Sequence, residues 1–181
     1  MLPKMREMDF LELAKERYSE RRFEQTPVEQ DKIDRILEAG RISPTARNKQ
    51  PQRFYIIRSE ESKAKVREAT RYHYHAPLSI LVCYDVNETW KNPDDRNFSD
   101  YNSGEQDASI SATHMMFAAW EIGVHSVWVR DFDSKKMAEV FGLPDNIIPA
   151  VLLAMGYPQT GSEPNKWHFD KKPIEDFVKE L

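Results

Sequence analysis

Arg17-Tyr18-Ser19-Glu20-Arg21 sets two guanidinium groups either side of a serine hydroxyl. Guanidinium is permanently charged and presents its N–H groups as a planar fork, so this pattern can hold a dianionic phosphate through charge-assisted hydrogen bonds. Lys171-Lys172-Pro173 supplies further positive charge near the end of the chain. A third segment, Ser43-Pro44-Thr45-Ala46-Arg47-Asn48-Lys49-Gln50-Pro51-Gln52-Arg53-Phe54, gathers hydroxyl and amide groups between two prolines. A fourth, Gly123-Val124-His125-Ser126-Val127-Trp128-Val129-Arg130, ends an apolar run on a cation. By residue type alone, each also fits a plainer account. These are a solvated basic helix end that complements the helix dipole, an exposed basic pair, a rigid polar loop, and a buried strand with a core tryptophan.

The surrounding sequence predicts the elements that position these residues. Asp9 with Glu12 forms a capping box, and Phe10, Leu13, Ala14 and Arg17 then share one helix face with Arg17 at its end. Thr26, Pro27 and Glu29 predict a second helix start, with a buried stripe of Ile33, Ile36 and Leu37 and a stop at Gly40. The phosphate-suited segment is thus a junction between helices, where backbone N–H groups can also be free. Residues 53–58 read as a strand, Ser59 opens a helix to about Thr70, and Leu78 to Asp85 reads as a strand buried on both faces. Residues 86–104 are a long polar loop carrying Trp90, Phe98 and Tyr101, and form the candidate lid. Residues 105–122 form a helix apolar on most sides, expected at the centre of the fold or at a subunit interface, and ended by Gly123. A strand over 124–130, a helix capped by Ser134 and closed by Gly142, and a strand over 150–155 follow. A Pro/Gly-rich stretch then leads to a last helix with Ile174, Phe177, Val178 and Leu181 on one side. Helices and strands alternate irregularly, which predicts α+β rather than a doubly wound sheet.

At 181 residues the chain fits a single domain over 1–181 and can bury a sizeable core. Its net charge of -4, with both signs interspersed, gives no footprint for nucleic acid or an anionic membrane. No apolar run is long enough to span a bilayer, the N-terminus lacks the apolar run of a signal peptide, and the lone Cys83 excludes an intrachain disulfide. The expected setting is cytoplasmic. Cys83 lies in an apolar strand and reads as an inert core thiol. His73 and His75 lack a further ligand at zinc spacing, so no metal site is expected. Asp107, His114 and Glu121 recur every seventh residue and read as a hydrogen-bond stripe rather than a catalytic triad. No Gly-rich dinucleotide fingerprint is present.

Taken in order and spacing, these segments, with Met155-Gly156-Tyr157-Pro158, resemble the nitroreductase family of FMN-dependent oxidoreductases from about Asp9 to Val178. The resemblance implies a nitroreductase-like α+β fold: a mainly antiparallel or mixed central sheet flanked by helices, in an intertwined homodimer. Two FMN sites would lie at the subunit interface, and residues from about 157 to 181 would form an extension packing on the partner. It implies tightly but non-covalently bound FMN, NAD(P)H as a transient electron donor, and a small conjugated acceptor such as a nitroaromatic or quinone in a ping-pong cycle at flavin N5. Arg17 and Ser19 resemble the phosphate ligands, with Tyr18 in a position usually basic. Arg21 resembles the cation beside the flavin N1–C2 carbonyl edge, which steadies the negative charge of the reduced ring. Pro44, Thr45, Asn48 and Gln50 resemble the loop that reaches the isoalloxazine of the partner subunit, whose polar edge and apolar body suit amides and prolines. Val127, Trp128 and Val129 resemble the strand passing the ring with a backbone N–H toward N5. Arg130 stands where a small residue is common, and would narrow the pocket or select an acidic substrate. Lys171 takes the place of an arginine on the phosphate. No protein nucleophile or general base is implied, because the flavin carries the chemistry. Two other classes also fit: an FMN storage, sensor or flavin-modifying protein with little turnover, and a phosphate- or nucleic-acid-binding module using Arg17 and Arg21, against which the acidic balance weighs.

Overall fold

A computed structural model describes residues 9–92 and 101–181. Residues 93–100 of the polar loop, Phe98 among them, lie outside the described residues. The elements run α1 (Phe10–Glu16), α2 (Gln30–Arg41), β1 (Gln52–Ile57), α3 (Glu60–Ala69), β2 (Leu78–Asp85), α4 (Gly104–Glu121), β3 (His125–Val129), α5 (Ser134–Phe141) and β4 (Ile147–Gly156). The sheet order is β1-β2-β4-β3, with every neighbouring pair antiparallel. The fold is therefore α+β, as expected, with an antiparallel rather than mixed sheet.

The central strands β2 and β4 are buried on both faces because helices cover each side. On one side, Ile33 and Ile36 of α2 and Ala108, Ala112, Met115 and Ala119 of α4 pack on Ile80, Val82, Val151 and Leu153. On the other, Val66 of α3 and Met137 of α5 pack on Leu81, Cys83, Val127 and Leu152. Burial pushes the Cys83 thiol up to about 12, so it stays protonated and inert at neutral pH. β2 and β4 slip register between Val82 and Cys83, where Cys83 faces Pro149. Proline cannot donate to the ladder, and a bulge is where a central strand tolerates it. Among the described residues no helix is long and apolar enough to cross a membrane.

Several predicted boundaries move, each for a tertiary reason. α2 starts at Gln30 with Glu29 as its cap, not at the Thr26 box. Residues 23–28 stay outside the helix, where the Glu24 N–H donates to the Tyr157 carbonyl and Phe23 bridges Pro158. Gly40 does not stop α2: it is buried inside the helix, where a Cβ would stand 2.2 Å from Met115 Cε. α5 is capped by Asp133 rather than Ser134, through a 2.9 Å bond from the Lys136 N–H. The last predicted helix is a single turn over Ile174–Asp176, with Ile174, Phe177, Val178 and Leu181 all exposed. A helix this short is marginal in water without a surface to pack on. α4 is not apolar all round: Glu105, Gln106, Thr113, His114 and Glu121 form an exposed stripe. Asp107 is buried, His114 is exposed and Glu121 pairs with Arg35, all along one helix face about 21 Å long. They form no triad.

Candidate functional site

α1 ends as its register predicts. The Glu12 N–H bonds Asp9 Oδ1 at 2.9 Å, and Arg17 is the C-cap, turning into extended backbone. The next residues run beside β3: Ser19 forms a parallel bridge to Ser126, and the Glu20 N–H donates to the Ser126 carbonyl at 3.0 Å. This lays Arg17, Tyr18, Ser19 and Arg21 along one wall of a cavity of about 170 Å³. Asn165, Trp167, His168 and Lys171, on the segment after β4, form the facing wall. The cavity therefore brings together the predicted phosphate residues, including Lys171 across 150 residues of chain; Lys172 is not part of its lining.

The electrostatics are one-sided. Among the described residues, the cavity lining holds three cations and no carboxylate. Arg17 Nη1 is buried and has no hydrogen-bond partner among the described residues. Burial lowers the Arg17 pKa from its ordinary value, yet a guanidinium stays charged there. Arg21 is exposed at the mouth, its Nη1 donating to the Ser19 carbonyl at 3.1 Å. A buried cationic donor without an acceptor is costly, and its surroundings fit an anion such as a phosphate.

Behind the cavity stands a residue that the sequence reading passed over. Glu20 is 1% exposed. Its Oε1 accepts the Arg21 and Arg22 N–H groups, both at 2.8 Å, and its Oε2 accepts the Tyr18 hydroxyl at 3.0 Å. Ser162 Oγ lies 2.7 Å from both oxygens. Burial works to raise the Glu20 pKa, but the bonds from Ser162, the Arg22 N–H, Tyr18 and the Arg21 N–H hold it below the usual value. The carboxylate thus occupies the Arg21 and Arg22 backbone N–H groups, leaving anion recognition to side chains. His125, 3.8 Å from Glu20, stacks on Trp120 at 4.0 Å between ring centroids, and burial lowers its pKa. Nothing in a run of charged residues marks Glu20 as buried, which is why its type alone reads as solvated.

The second predicted group lies elsewhere. Ser43 Oγ bonds Ser111 Oγ at 2.6 Å, the Ala46 N–H donates to Asp107 Oδ1 at 2.9 Å, and the Gln50 N–H donates to Thr45 Oγ1 at 3.1 Å. These anchors hold Arg47, Asn48 and Gln50 at φ of 55°, 55° and 52°. Left-handed backbone costs a non-glycine residue about 1–2 kcal/mol, so the loop is fixed against strain. Pro44, Asn48 and Gln50 are exposed and Thr45 half-buried. This loop enters β1, one outer strand, at Gln52, which pairs with Tyr84 near the end of β2. The cation cavity adjoins Ser126 on β3, the other outer strand, level through Met155 with Leu78 at the start of β2. Three strand spacings and six residues of strand put the two groups at opposite corners of the sheet, roughly 24 Å apart. One chain does not assemble both around a single ligand.

Along β3, Val127 and Val129 are buried in the core and Trp128 is half-buried. Arg130 follows, exposed, with its Nε 3.1 Å from Glu105 Oε1 and its guanidinium 5.5 Å from the Phe132 ring centre.

The sequence pattern of the Nitroreductase family matches residues 14–74 and 73–157. A nitroreductase family protein of solved structure from Clostridium difficile 630 is 39% identical, superposes with a TM-score of 0.87, and the match covers 95% of this chain and 98% of that one. A Methanothermobacter thermautotrophicus protein, provisionally named an NADH dehydrogenase/NAD(P)H nitroreductase, is 29% identical, over 93% of this chain and 90% of its own. A protein from Exiguobacterium sibiricum 255-15, provisionally named a nitroreductase and solved with FMN, shares the fold at 22% identity and a TM-score of 0.80, over 96% of this chain and 98% of its own. Matched across most of its length in sequence and in fold, the chain belongs to the nitroreductase family.

Proposed function

We propose that this chain is an FMN-dependent NAD(P)H oxidoreductase that passes reducing equivalents to a small conjugated acceptor by a ping-pong mechanism. The observation that carries the reading is the buried, unpartnered Arg17 Nη1 in a cavity lined also by Ser19, Arg21 and Lys171. Arg17, Ser19 and Lys171 would hold the FMN phosphate, and Tyr18 would wall it. FMN, when bound, supplies the hydride chemistry at its N5. Arg21, at the mouth, would offset negative charge on the reduced ring. The chain leads from Ser126 beside the cavity along β3 to Arg130, about 13 Å when extended, so the backbone of Val127, Trp128 and Val129 can run along the cofactor.

The opposite-corner placement of Pro44, Thr45, Asn48 and Gln50 supports a homodimer in which each loop serves the partner's cofactor. The exposed apolar side chains of the last segment, Phe169, Ile174, Phe177, Val178 and Leu181, support its packing on that partner. Arg130 would bind acidic acceptors, provided its ion pair with Glu105 opens. Arg130→Ala should then raise KM up to about fivefold for a carboxylate-bearing acceptor and leave that for a neutral quinone in place, as two surface charges at an open site are worth at most about 1 kcal/mol. Equal KM changes for both acceptors would remove Arg130 from the substrate site.

The deciding experiment is the visible absorbance spectrum of the purified protein, with NAD(P)H added anaerobically. Flavin bands that are released as FMN on denaturation and bleach with NAD(P)H are expected. Flavin that persists unbleached would favour a store or sensor. A protein that neither carries nor takes up FMN would reject the reading.

A further inference from the structure

The two walls of the cation cavity come from distant parts of the chain, and one buried carboxylate joins them. The root of the second wall is zipped to the residues after Arg21. The Gln159 N–H donates to the Arg22 carbonyl at 2.9 Å, Gln159 Nε2 to the Phe23 carbonyl at 3.2 Å, and Arg22 Nη2 to the Gly161 carbonyl at 3.0 Å. The chain then turns back. The Ser162 N–H bonds the Gln159 carbonyl at 2.9 Å, and Gly161 takes φ +76°, the left-handed position that such a turn reserves for glycine. That turn delivers the Ser162 hydroxyl to Glu20. Beyond it, Asn165 Oδ1 caps a short turn through the Trp167 N–H at 3.1 Å, His168 meets the edge of Tyr18 at 6.2 Å, and Lys171 reaches the cavity. Beyond the 162–168 segment no residue of the arm is better than exposed, so little else holds Lys171 in place.

Resting on the FMN reading above, we propose that Glu20 is a positioning residue. Through Ser162 it fastens residues 162–171 as a strap across the phosphate cavity, and it thereby sets how fast the cofactor escapes. Its bonds to Tyr18 and to the Arg21 and Arg22 N–H groups fix the first wall, and its bond to Ser162 fixes the second, so one charge aligns Arg17 and Lys171 on the same phosphate. A hydroxyl-to-carboxylate bond is among the stronger hydrogen bonds, and its loss frees the strap while leaving the first wall held.

The test is the FMN dissociation rate from holoprotein, followed by the return of flavin fluorescence, in Ser162→Ala, Ser162→Thr and Lys171→Ala, alone and combined. Ser162→Ala should release FMN about tenfold faster. Ser162→Thr, which keeps the hydroxyl, should restore the wild-type rate. In a Lys171→Ala background the Ser162→Ala change should shrink to less than about twofold, because the strap then carries no cation to misplace. Trypsin should cut at Lys166 and Lys171 faster in Ser162→Ala than in wild type at a temperature well below the melting point of both. Dissociation unaltered by Ser162→Ala, or an undiminished effect without Lys171, would overturn the strap while FMN binding stands. A wild-type protein that never takes up FMN would overturn the cofactor reading and the strap with it.

Discussion

Replacing Arg17 and Arg21 together by alanine should weaken FMN binding by between about a hundredfold and ten-thousandfold, since each charge-assisted bond contributes about 1.5–3 kcal/mol. The apoprotein should not suffer. Arg17 holds a buried guanidinium nitrogen without an acceptor among the described residues, so removing the pair deletes a desolvated charge and costs only a cation–π contact with Phe117 at 5.9 Å and the exposed Arg21 bond to the Ser19 carbonyl. The expected signature is therefore a melting temperature equal to or above that of wild type without cofactor, and no rise when FMN is added. Fluorescence titration and thermal melts with and without FMN read both quantities. Undiminished affinity in the folded double variant would take the phosphate away from this cavity.

The second large effect concerns packing. Gly40 lets α2 approach α4 so closely that a Cβ would sit 2.2 Å from Met115 Cε and 3.0 Å from Phe54 Cζ. Both neighbours are ends of side chains, so Gly40→Ala can be absorbed by a shift of Met115, offset by alanine's better helix propensity of about 1 kcal/mol. Gly40→Val adds branched carbons that Met115 cannot clear. It should cost about 3 kcal/mol, or roughly 10 °C in melting temperature. The strain would pass to Ser43, which bonds the Gly40 carbonyl at 2.8 Å and Ser111 at 2.6 Å, and so to the 44–50 loop. A valine variant melting with the wild type would mean that the helices have room to part.

What could be read from the chain divides along a physical line. β2 runs from Leu78 to Asp85 as expected because an unbroken apolar run has few alternatives to a doubly covered strand. α1 and α3 begin at Asp9 and Ser59 as expected because a cap is a contact between near neighbours. Thr26 and Gly40 carried equally good local signals and misled, since pairing to Tyr157 and packing against Met115 outweighed them. The last predicted helix had an amphipathic pattern and no surface of its own chain to rest on. In the site, Arg17, Ser19 and Arg21 were legible as a short motif. Lys171 was linked to them only by family resemblance, and Glu20 not at all, because its partner Ser162 lies 142 residues away.

The opposite corners of the sheet have a genetic corollary. If each site takes its phosphate cations from one chain and its amide loop from the other, lesions in the two segments need not behave as alleles of one function. A subunit crippled at Arg17 and another crippled at Asn48, each inactive as a pure population, would pair to give one site bearing both defects and one bearing neither. Such a mixed population would regain activity from two null parents, and this protein would show complementation within a single locus.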